Sequence, residues 1–466
     1  MAAVEIAAAG AADMTSTGPD RVSPPEPGAA PDPAAGLEPG VELTTLGNGV
    51  RIVTERMPEA RSVTLGFWAG IGSRDEPAEL AGASHFLEHL LFKGTAQRSA
   101  RQIAVAVDAV GGEMNAFTTR EHTAYYTRLP VAELDFGLDL LTDVVGAPAF
   151  RRAEIDAERE VIVEEILMNE DTPDDVVHTL LLEAAFPGHP LGRETLGSED
   201  TIMAMDRDQI AEFHHHWYRP TNLVVAAAGD LEHDHVVERV AAFLGESPVG
   251  SRPDRRAPDD TVVPLVVADR PTEQAHVAMA WRALDHRDPD RYALAVANQI
   301  LGGGMSSRLF QEVREERGLA YTVFTSPASY ADAGVLTLYA GTGPARLAEL
   351  LAVIGDTLDA LVSDGITQAE LEVARGYLEG ATLLGLEDSG SRMGRLGSGL
   401  TTRGEIVAVE EHLARTRAVT TEQVDAVLRR VLGAPATLSV VGPFTEDDPV
   451  LVASVERAEQ RSHSLV

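Results

Sequence analysis

The interpretation of this fold depends on the stretch HFLEHLLFKGT, residues 85–95. His85 and His89 are four positions apart, and residues with that spacing share one face of an α-helix. Two imidazoles on one face can bind the same metal ion, and Glu88 beside them is a candidate general base for water activated by zinc. The alternative is an amphipathic helix whose histidines lie on a polar surface. A metal site therefore needs a third ligand.

The best candidate for that ligand lies in the predicted helix 153–169. Glu158 and Glu165 are seven residues apart and therefore stack on one face of this helix over two turns. We predict that Glu165 binds the metal ion and that Glu158 hydrogen-bonds a ligand histidine, as carboxylates beside metal sites commonly do. For this segment considered alone, a solvated acidic helix face is the alternative.

Outward from these helices, alternating apolar residues predict strands, and 3.6-residue periodicity predicts helices, of a first domain over residues 41–246. The predicted strands are 41–46, 50–55, 62–68, 113–118, 123–129 and 222–228. The predicted helices are 83–93, 101–110, 131–145, 153–169, 174–185, 207–216 and 232–244. Ser84 is predicted to cap the first helix, and Gly94 to end it.

The second half of the chain repeats the first in outline. LVVAAAGD at 223–230 corresponds in place and character to TLSVVGPF at 437–444. We predict an α+β fold with two homologous domains, each a mostly antiparallel or mixed sheet packed against helices, that arose from an internal duplication. The second domain is placed at 261–445, after a polar, proline-containing linker at 247–260. Its predicted elements are strands 276–281 and 437–441 and helices 291–300, 307–317, 347–362, 368–384 and 421–432.

Both ends of the chain are interpreted as tails. Residues 1–40 are rich in Ala, Pro and Gly and lack the basic, then apolar, pattern of a signal peptide, so they are predicted to be a disordered acidic tail. Residues 446–466 are predicted to be a C-terminal tail. No apolar stretch approaches the roughly 20 residues needed to cross a bilayer. We expect no membrane span and a cytoplasmic location.

The composition limits the chemistry of the site. The 466 residues include no cysteine, so a metal site has to use His, Asp and Glu, and a cysteine nucleophile is excluded. The net charge of −35 argues against nucleic acid as a partner and favours basic peptides. Solubility alone is the alternative explanation of the acidity. The run of histidines at 214–216 is interpreted as a structural helix end.

Three segments together resemble a known family of zinc peptidases. They are HFLEHLLFKGT at 85–95, GGEMNAFTTREHTAYY at 111–126 and EREVIVEE at 158–165. The order H-x-x-E-H inverts the commoner zinc motif and is typical of inverzincins. The chain resembles the pitrilysin/insulinase family, specifically its processing-peptidase branch, over about residues 42–445. The resemblance implies a metalloendopeptidase with one zinc ion per chain, bound by His85, His89 and Glu165, with Glu88 as the base.

The resemblance also implies where a peptide substrate binds. Segments similar to Asn115, Ala116, Phe117 and Thr118 form a sheet edge to which an extended peptide adds as a strand. In LGGGMSSRLFQEVREERGLAYTV, residues 301–323, Arg314 and Tyr321 have the spacing of a pair that reaches the substrate carbonyl. In relatives this pair faces the zinc site across a closed chamber, so we expect it to serve the site of a partner chain.

Two questions stay open at this stage. A homodimer is the expected assembly because one chain supplies both halves of the site, although a heterodimer is possible. The alternative to an enzyme is a non-catalytic scaffold or partner subunit, since relatives include such subunits of processing peptidases and respiratory complexes. Those generally have eroded zinc motifs, whereas this chain retains every position.

Overall fold

Two mixed β-sheets form the centre of the structure, a computed structural model that describes residues 37–465. The first sheet has the strand order β1-β2-β6-β3-β5-β4, and the second has the order β7-β11-β8-β10-β9. The strands of the first sheet are β1 (Val41–Thr45), β2 (Arg51–Arg56), β3 (Ser62–Ala69), β4 (Glu113–Thr118), β5 (Thr123–Pro130) and β6 (Leu223–Gly229). Those of the second are β7 (Leu265–Asp269), β8 (Ala275–Ala283), β9 (Val323–Ser329), β10 (Gly334–Thr342) and β11 (Ala436–Gly442).

The two sheets have the same strand order once the extra edge strand β1 is set aside. Strand β6 pairs parallel with β2 and antiparallel with β3, while β11 pairs parallel with β7 and antiparallel with β8. These are the two strands whose sequences correspond. The predicted fold class, two homologous α+β domains with mixed sheets, is confirmed.

The helices lie against these sheets. In the first half they are α1 (Ala83–Leu91), α2 (Ala100–Ala109), α3 (Leu134–Gly146), α4 (Arg152–Asp171), α5 (Pro173–Ala185), α6 (Glu199–Ala204), α7 (Arg207–Trp217) and α8 (His233–Leu244). In the second half they are α9 (Arg291–Leu301), α10 (Leu347–Asp364), α11 (Gln368–Gly385), α12 (Ser389–Ser398), α13 (Val409–Ala418), α14 (Thr421–Leu432) and α15 (Pro449–Leu465). Two segments, Phe310–Glu316 and Gly399–Arg403, are π-helical.

The two domains exchange one helix each. Val177 and Leu181 of α5, in the first half, pack in a cluster with Ala278 and Ala280 of the second sheet. In return, helix α12 of the second half packs Met393 and its neighbours against the first sheet. One face of each sheet is thus covered by its own helices and the other by a helix from the opposite half.

The two chain ends and the linker differ in how far they are structured. Residues 248–259 form no helix or strand. The prediction of a tail at 446–466 is wrong for most of that segment, because α15 packs on α10 and α14 and buries Leu451 and Ala458. The prediction of a disordered tail at 1–40 falls almost entirely outside the described residues. Within 37–465, no helix is long and apolar enough to cross a membrane.

Candidate metal centre

Helix α1, which carries both histidines, begins at a glycine. Gly82 is the N-cap, with φ 93° in the left-handed region, and a Cβ there would lie 2.6 Å from the carbonyl oxygen of Leu196. The predicted N-cap at Ser84 is wrong, since Ser84 lies buried inside the first turn. The turn between the preceding loop and the helix is too tight for any residue other than glycine.

Glu76 satisfies the free N–H groups at this end of α1. One carboxylate oxygen accepts from Gly82 N and the other from Ser84 N, each at 2.7 Å. Burial raises the pKa of Glu76 to about 7, although these two hydrogen bonds oppose the rise. A carboxylate at a helix N-terminus also interacts favourably with the helix dipole. Glu76 therefore fixes the start, and so the direction, of the helix that carries the histidines.

His85, His89 and Glu165 converge on one point. Nε2 of His85 lies 3.2 Å from Nε2 of His89, and Oε2 of Glu165 lies 3.7 Å and 3.5 Å from these two nitrogens. Ligand atoms about 2.0–2.1 Å from a tetrahedral zinc ion stand roughly 3.3 Å from one another. Among residues 37–465, these three form the His, Asp and Glu group with ligand atoms close enough for one ion.

The protonation and bonding of these side chains also fit a metal ion. Nδ1 of His85 and Oε2 of Glu165 are buried and have no hydrogen-bond partner among the described residues. Burial, together with the charge of His89, lowers the pKa of His85 to about 3, so its imidazole is neutral at physiological pH. A neutral imidazole is the form that binds zinc. This donor set, two imidazoles and a carboxylate, is one that zinc uses in hydrolases.

Glu158 orients one of the histidines. Its Oε1 lies 2.8 Å from Nδ1 of His89, and its Oε2 lies 2.6 Å from the ammonium nitrogen of Lys93. Burial opposes ionisation of Glu158, but the hydrogen bonds from His89 and Lys93 outweigh it and lower the pKa of the carboxyl. An ionised Glu158 accepts the Nδ1–H proton of His89, which leaves Nε2 free as a ligand. The sequence spacing predicted that Glu158 orients a histidine, but it did not predict the contact with Lys93, which follows α1.

Glu88 lies on the same helix, turned towards strand β4. Burial raises the pKa of its carboxyl, and the neighbouring Thr118 of β4 and the charge of His89 offset this only in part. A raised pKa makes the carboxylate a stronger base than that of an exposed glutamate. Glu88 is thus placed between the ligand cluster and the sheet edge.

Strand β4, which carries the predicted substrate segment, is the edge strand of the first sheet. Its residues pair with β5 on one side, and no described strand lies on the other. Asn115 is exposed, Ala116 points inward, and Phe117 and Thr118 are half-buried. The unpaired side of β4 offers main-chain groups to an extended peptide, beside the carboxyl of Glu88.

Comparison with known proteins assigns the family. The sequence model of the insulinase family, peptidase family M16, matches residues 51–199, and that of the peptidase M16 inactive domain matches residues 204–378. The chain belongs to the insulinase family, M16. An uncharacterized zinc protease of Streptomyces coelicolor is 45% identical over 415 residues, which cover 87% of this chain and 90% of the relative. The uncharacterized zinc protease YmxG of Bacillus subtilis is 39% identical over 403 residues, 86% of this chain and 98% of the relative.

Solved structures of two bacterial proteins have the same fold. A peptidase M16 inactive domain from Pseudomonas fluorescens superposes with a TM-score of 0.81 over 88% of this chain and 100% of that one, at 22% identity. A protease from Helicobacter pylori gives a TM-score of 0.79 over 87% and 100%, at 24% identity. At these identities the likeness concerns the M16 fold alone.

The Arg/Tyr pair of this M16 chain comes together, but away from the ligand cluster. The guanidinium of Arg314 lies 4.7 Å from the ring centre of Phe310 and 4.4 Å from that of Tyr321. Tyr321 is 79% exposed. None of the hydrogen bonds and ion pairs of the described residues links either side chain to the histidines of α1. The pair is held by cation–π contacts and presented to solvent.

One histidine of the run 214–216, His214, has a structural role. Nε2 of His214 lies 2.9 Å from the carbonyl oxygen of Val145, and burial lowers the pKa of His214 to about 4. Its ring stacks on Tyr218 at 4.5 Å. His214 is therefore a neutral packing residue that joins α7 to α3.

A buried ion network connects the β4–β5 turn to the linker and to the second domain. Arg255 of the linker donates to both carboxylate oxygens of Asp75, at 2.8 and 2.7 Å, and to the main-chain oxygen of Glu121 at 2.7 Å. Glu121 lies in the β4–β5 turn, and its side chain accepts from Arg74 at 2.6 Å and from Ala331 N of the second domain. Sequence patterns gave no sign of these contacts, since their partners lie up to 210 residues apart.

Proposed function

We propose that this chain is a zinc-dependent endopeptidase that hydrolyses peptide bonds of unfolded peptides or protein extensions. The observation that supports this most is the convergence of His85, His89 and Glu165 beside the free edge of β4. One zinc ion per chain would be held by these three side chains. When bound, zinc polarises the scissile carbonyl and lowers the pKa of a water ligand to about 7.

The chain's own residues supply the proton transfers. Glu88 takes a proton from the attacking water at its carboxylate and returns it to the amide nitrogen that leaves, as a base and then an acid. Its raised pKa suits both roles. Glu158 holds the His89 ring in one tautomer through the 2.8 Å contact at Nδ1.

The free edge of β4 supports a substrate that binds in extended form. Main-chain groups of residues 115–118 would pair with the peptide backbone irrespective of its side chains, so that selectivity comes from the surroundings of the strand. The net charge of −35 favours basic peptides over acidic ones. Cleavage-site profiling of a random peptide library measures this, and cleavage without any preference for Lys or Arg would remove the electrostatic argument.

Arg314 and Tyr321 would act on the zinc site of a second copy of the chain. Their exposure supports this, because side chains that are turned to solvent and unlinked to the cluster of their own chain are available to a partner. Across a closed chamber they would hold the substrate carbonyl and stabilise the oxyanion that develops on it.

Mixing two inactive variants tests this arrangement. Arg314→Ala lacks the pair but has an intact zinc site, whereas Glu88→Gln lacks the base but has an intact pair. We expect a 1:1 mixture to recover activity that neither variant has alone. The control is a 1:1 mixture of the double variant Glu88→Gln/Arg314→Ala with the single variant Arg314→Ala. It should stay inactive, because neither chain retains Arg314. Recovery in the control, or none in the test mixture, contradicts sharing between chains.

The peptidase itself is tested by metal analysis and a quenched fluorescent peptide. The purified chain should contain about one zinc ion, lose cleavage with a chelator and regain it with zinc. Glu88→Gln should retain zinc but lose roughly a hundredfold or more of kcat, the contribution of a proton-transfer group. A zinc-free protein without cleavage would instead support the scaffold alternative, and full activity of Glu88→Gln would overturn the mechanism.

A further inference from the structure

A group of basic side chains in the second domain lacks the carboxylates that accompany most arginines of this chain. We call it the basic corner and define it as Arg291, Tyr292, Arg403 and His412. The side chain of Arg403 makes no hydrogen bond or ion pair with any residue of the range 37–465. Among the described residues, the carboxylate paired with Arg291 is that of Glu405, whose Oε1 lies 3.9 Å from Nη2 and which is 48% exposed, and Nη1 of Arg291 donates to the main-chain oxygen of Asp288 at 3.5 Å.

Three donors of the basic corner are buried without a partner. They are Nε of Arg291, Nε of Arg403 and the hydroxyl of Tyr292, none of which has an acceptor among the described residues. Tyr292 contacts two members of the corner, because the Arg291 guanidinium lies 5.5 Å from its ring centre and the ring centre of His412 lies at the same distance. The side chain of Arg291 is 13% exposed. Burying donors unpaired costs free energy, and a bound water or ion is one way in which such groups are satisfied.

Burial and neighbouring arginines keep two histidine rings at this corner neutral. Burial lowers the pKa of His412 to about 4, and the charge of Arg403 lowers it further. The same two causes, in the same order, lower the pKa of His286 to about 3. Both rings are therefore neutral at physiological pH. The two other arginines near His412 are already paired, Arg395 with Glu38 and Glu55, and Arg415 with Glu411.

The balance of charge in this corner is opposite to that of the whole chain. The protein carries a net charge of −35, yet the one ion pair that Arg291 and Arg403 make among residues 37–465 is the 3.9 Å contact of Arg291 with the half-exposed Glu405. Guanidinium groups bind oxyanions well because their planar N–H donors match two oxygens at once. A tyrosine hydroxyl beside them adds a third donor of the kind that phosphate and carboxylate accept.

We propose that the basic corner binds an oxyanion, either a phosphate or a carboxylate, between the guanidinium groups of Arg291 and Arg403, with the Tyr292 hydroxyl as a third donor. This site shares no residue with the metal cluster and goes beyond the proposed peptidase function. A carboxylate would come from an acidic peptide side chain, and a phosphate from the free ion or a phosphate ester.

Calorimetric titration of the full chain with inorganic phosphate, at constant ionic strength against chloride, tests the site. We expect saturable binding of one phosphate per chain. Arg403→Gln should weaken it at least about tenfold, since a hydrogen bond to a charged group is lost. Arg101→Gln, which removes an exposed arginine without a hydrogen bond or ion pair among residues 37–465, should leave it unchanged. No saturable binding, or equal loss in both variants, overturns the proposal.

Stability measurements separate ligand binding from folding. In chloride buffer, Arg403→Gln should unfold at the same temperature as the parent or higher, because Arg403 has no partner to lose. Adding phosphate should raise the melting temperature of the parent but not of the variant. Tyr292→Phe, which removes only a hydroxyl, should fold normally and weaken phosphate binding severalfold; unchanged binding would exclude this hydroxyl from the site and contradict the proposal.

Titration with a carboxylate as well as with phosphate shows which of the two oxyanions the site prefers. Phosphate that binds at least tenfold more tightly than acetate or succinate would identify phosphate as the ligand. Carboxylates that bind as tightly as phosphate would identify an acidic side chain. Both results support the oxyanion site, provided that Arg403→Gln abolishes the tighter of the two. Binding of either anion that is insensitive to Arg403→Gln would overturn it.

Discussion

Helices α1 and α4 of the first domain correspond to helices α9 and α11 of the second. Among residues 37–465, only the first pair carries a group of side chains that could hold a metal ion. Residues 216 positions apart correspond between α4 and α11: Ile155 and Leu371 are 1% and 2% exposed. Residues 210 positions apart correspond between α1 and α9: Leu91 and Leu301 are both fully buried. The buried positions match, so the backbone frame is the same.

The site positions do not match. In the second domain the counterparts are Ala295 for His85, Asn298 for Glu88, Gln299 for His89, Ala374 for Glu158 and Ala381 for Glu165. No counterpart can ionise, yet the helices pack as they do in the first domain. The comparison shows that the apolar positions specify the fold, whereas the ligand cluster is an addition that the fold tolerates but does not need.

The largest effect is expected where the first domain is made like the second. Glu165→Ala copies Ala381 and removes one of three ligands, so zinc content should fall below about a tenth of an ion per chain. Since a metal ion contributes several kcal/mol to transition-state stabilisation, kcat/KM should fall at least roughly a thousandfold. Glu165→Ala should unfold much as the metal-free parent does, because Oε2 of Glu165 makes no hydrogen bond among the described residues and its contacts with the two histidines are 3.5 Å or longer.

The exposed neighbour Glu164 provides the matched control for this change. Glu164→Ala removes the same charge from the same turn of α4 and should retain both zinc and activity. Full zinc content in Glu165→Ala, or an equal loss in Glu164→Ala, would show that the cluster is not the metal site.

A smaller effect is expected when Glu158 is replaced by the residue at the corresponding position of the second domain. Glu158→Ala reproduces Ala374 and leaves His89 Nδ1 without its acceptor, so zinc affinity should fall roughly 10- to 100-fold. Competition with a chelator measures this. Glu158→Gln retains an oxygen that accepts from Nδ1–H and should recover most of the affinity, whereas a residue needed only for packing would show equal losses in both variants.

Most of the fold was predictable because apolar periodicity is local. The helix predicted at 421–432 is observed as Thr421–Leu432. Helix α12 was missed because its sequence, SGSRMGRLGS, has few strong helix formers, and it is stabilised by burial of Met393 and Leu396 on the first sheet. The periodicity of α5 indicated one buried face, but it could not show that the opposite domain covers it.

The grouping of the candidate ligands was predictable to the same extent, whereas their role stays a prediction. The spacing of His85 with His89 and of Glu158 with Glu165 put each pair on one helix face, which is a local property. Glu76 was not predicted to cap α1, because a loop residue that points back at a helix has no periodic signal. The contacts of Arg255 in the linker depend on how separate segments meet, and no local pattern records that.

The exchange of helices gives a third, purely structural test of the comparison. A Cβ at Gly397 of α12 would lie 2.1 Å from Nε1 of Trp68, which is 2% exposed and cannot move aside. The residue at the corresponding position of α5, 216 positions earlier, is the large Leu181, so the close approach of the helix to the sheet at Gly397 is particular to α12. Gly397→Ala should therefore lower the free energy of unfolding by about 1–3 kcal/mol, the usual cost of overpacking.

A glycine on the same helix provides the control. A Cβ at Gly394 would meet no atom within 4 Å, so Gly394→Ala should stabilise the protein by up to about 1 kcal/mol through its better helix propensity. Urea unfolding of both variants measures the difference. Equal effects would mean that α12 does not lie tightly against Trp68.

The smallest effect concerns the pH dependence of unfolding and an ion pair of the second domain that has no equivalent among the described residues of the first. The Arg308 guanidinium donates to both oxygens of Glu370, at 2.6 and 3.0 Å. Burial raises the pKa of this carboxyl, but the bonds from Arg308 and Thr367 outweigh it and lower the pKa to about 2. Glu154, the counterpart 216 positions earlier, has no ion pair among the described residues.

Because the folded-state pKa of Glu370 lies below the usual 4.5, its stabilising contribution is present above pH 4.5 and is lost as the pH falls towards 2. Glu370→Gln should therefore lower the free energy of unfolding by about 1–2 kcal/mol at pH 7, after allowance for solvent screening. The difference from the parent should shrink as the pH falls below 4.5. Glu154→Gln should show no such pH dependence. A Glu370→Gln difference that is constant from pH 7 to pH 3 would mean that the pair contributes by packing and not by charge.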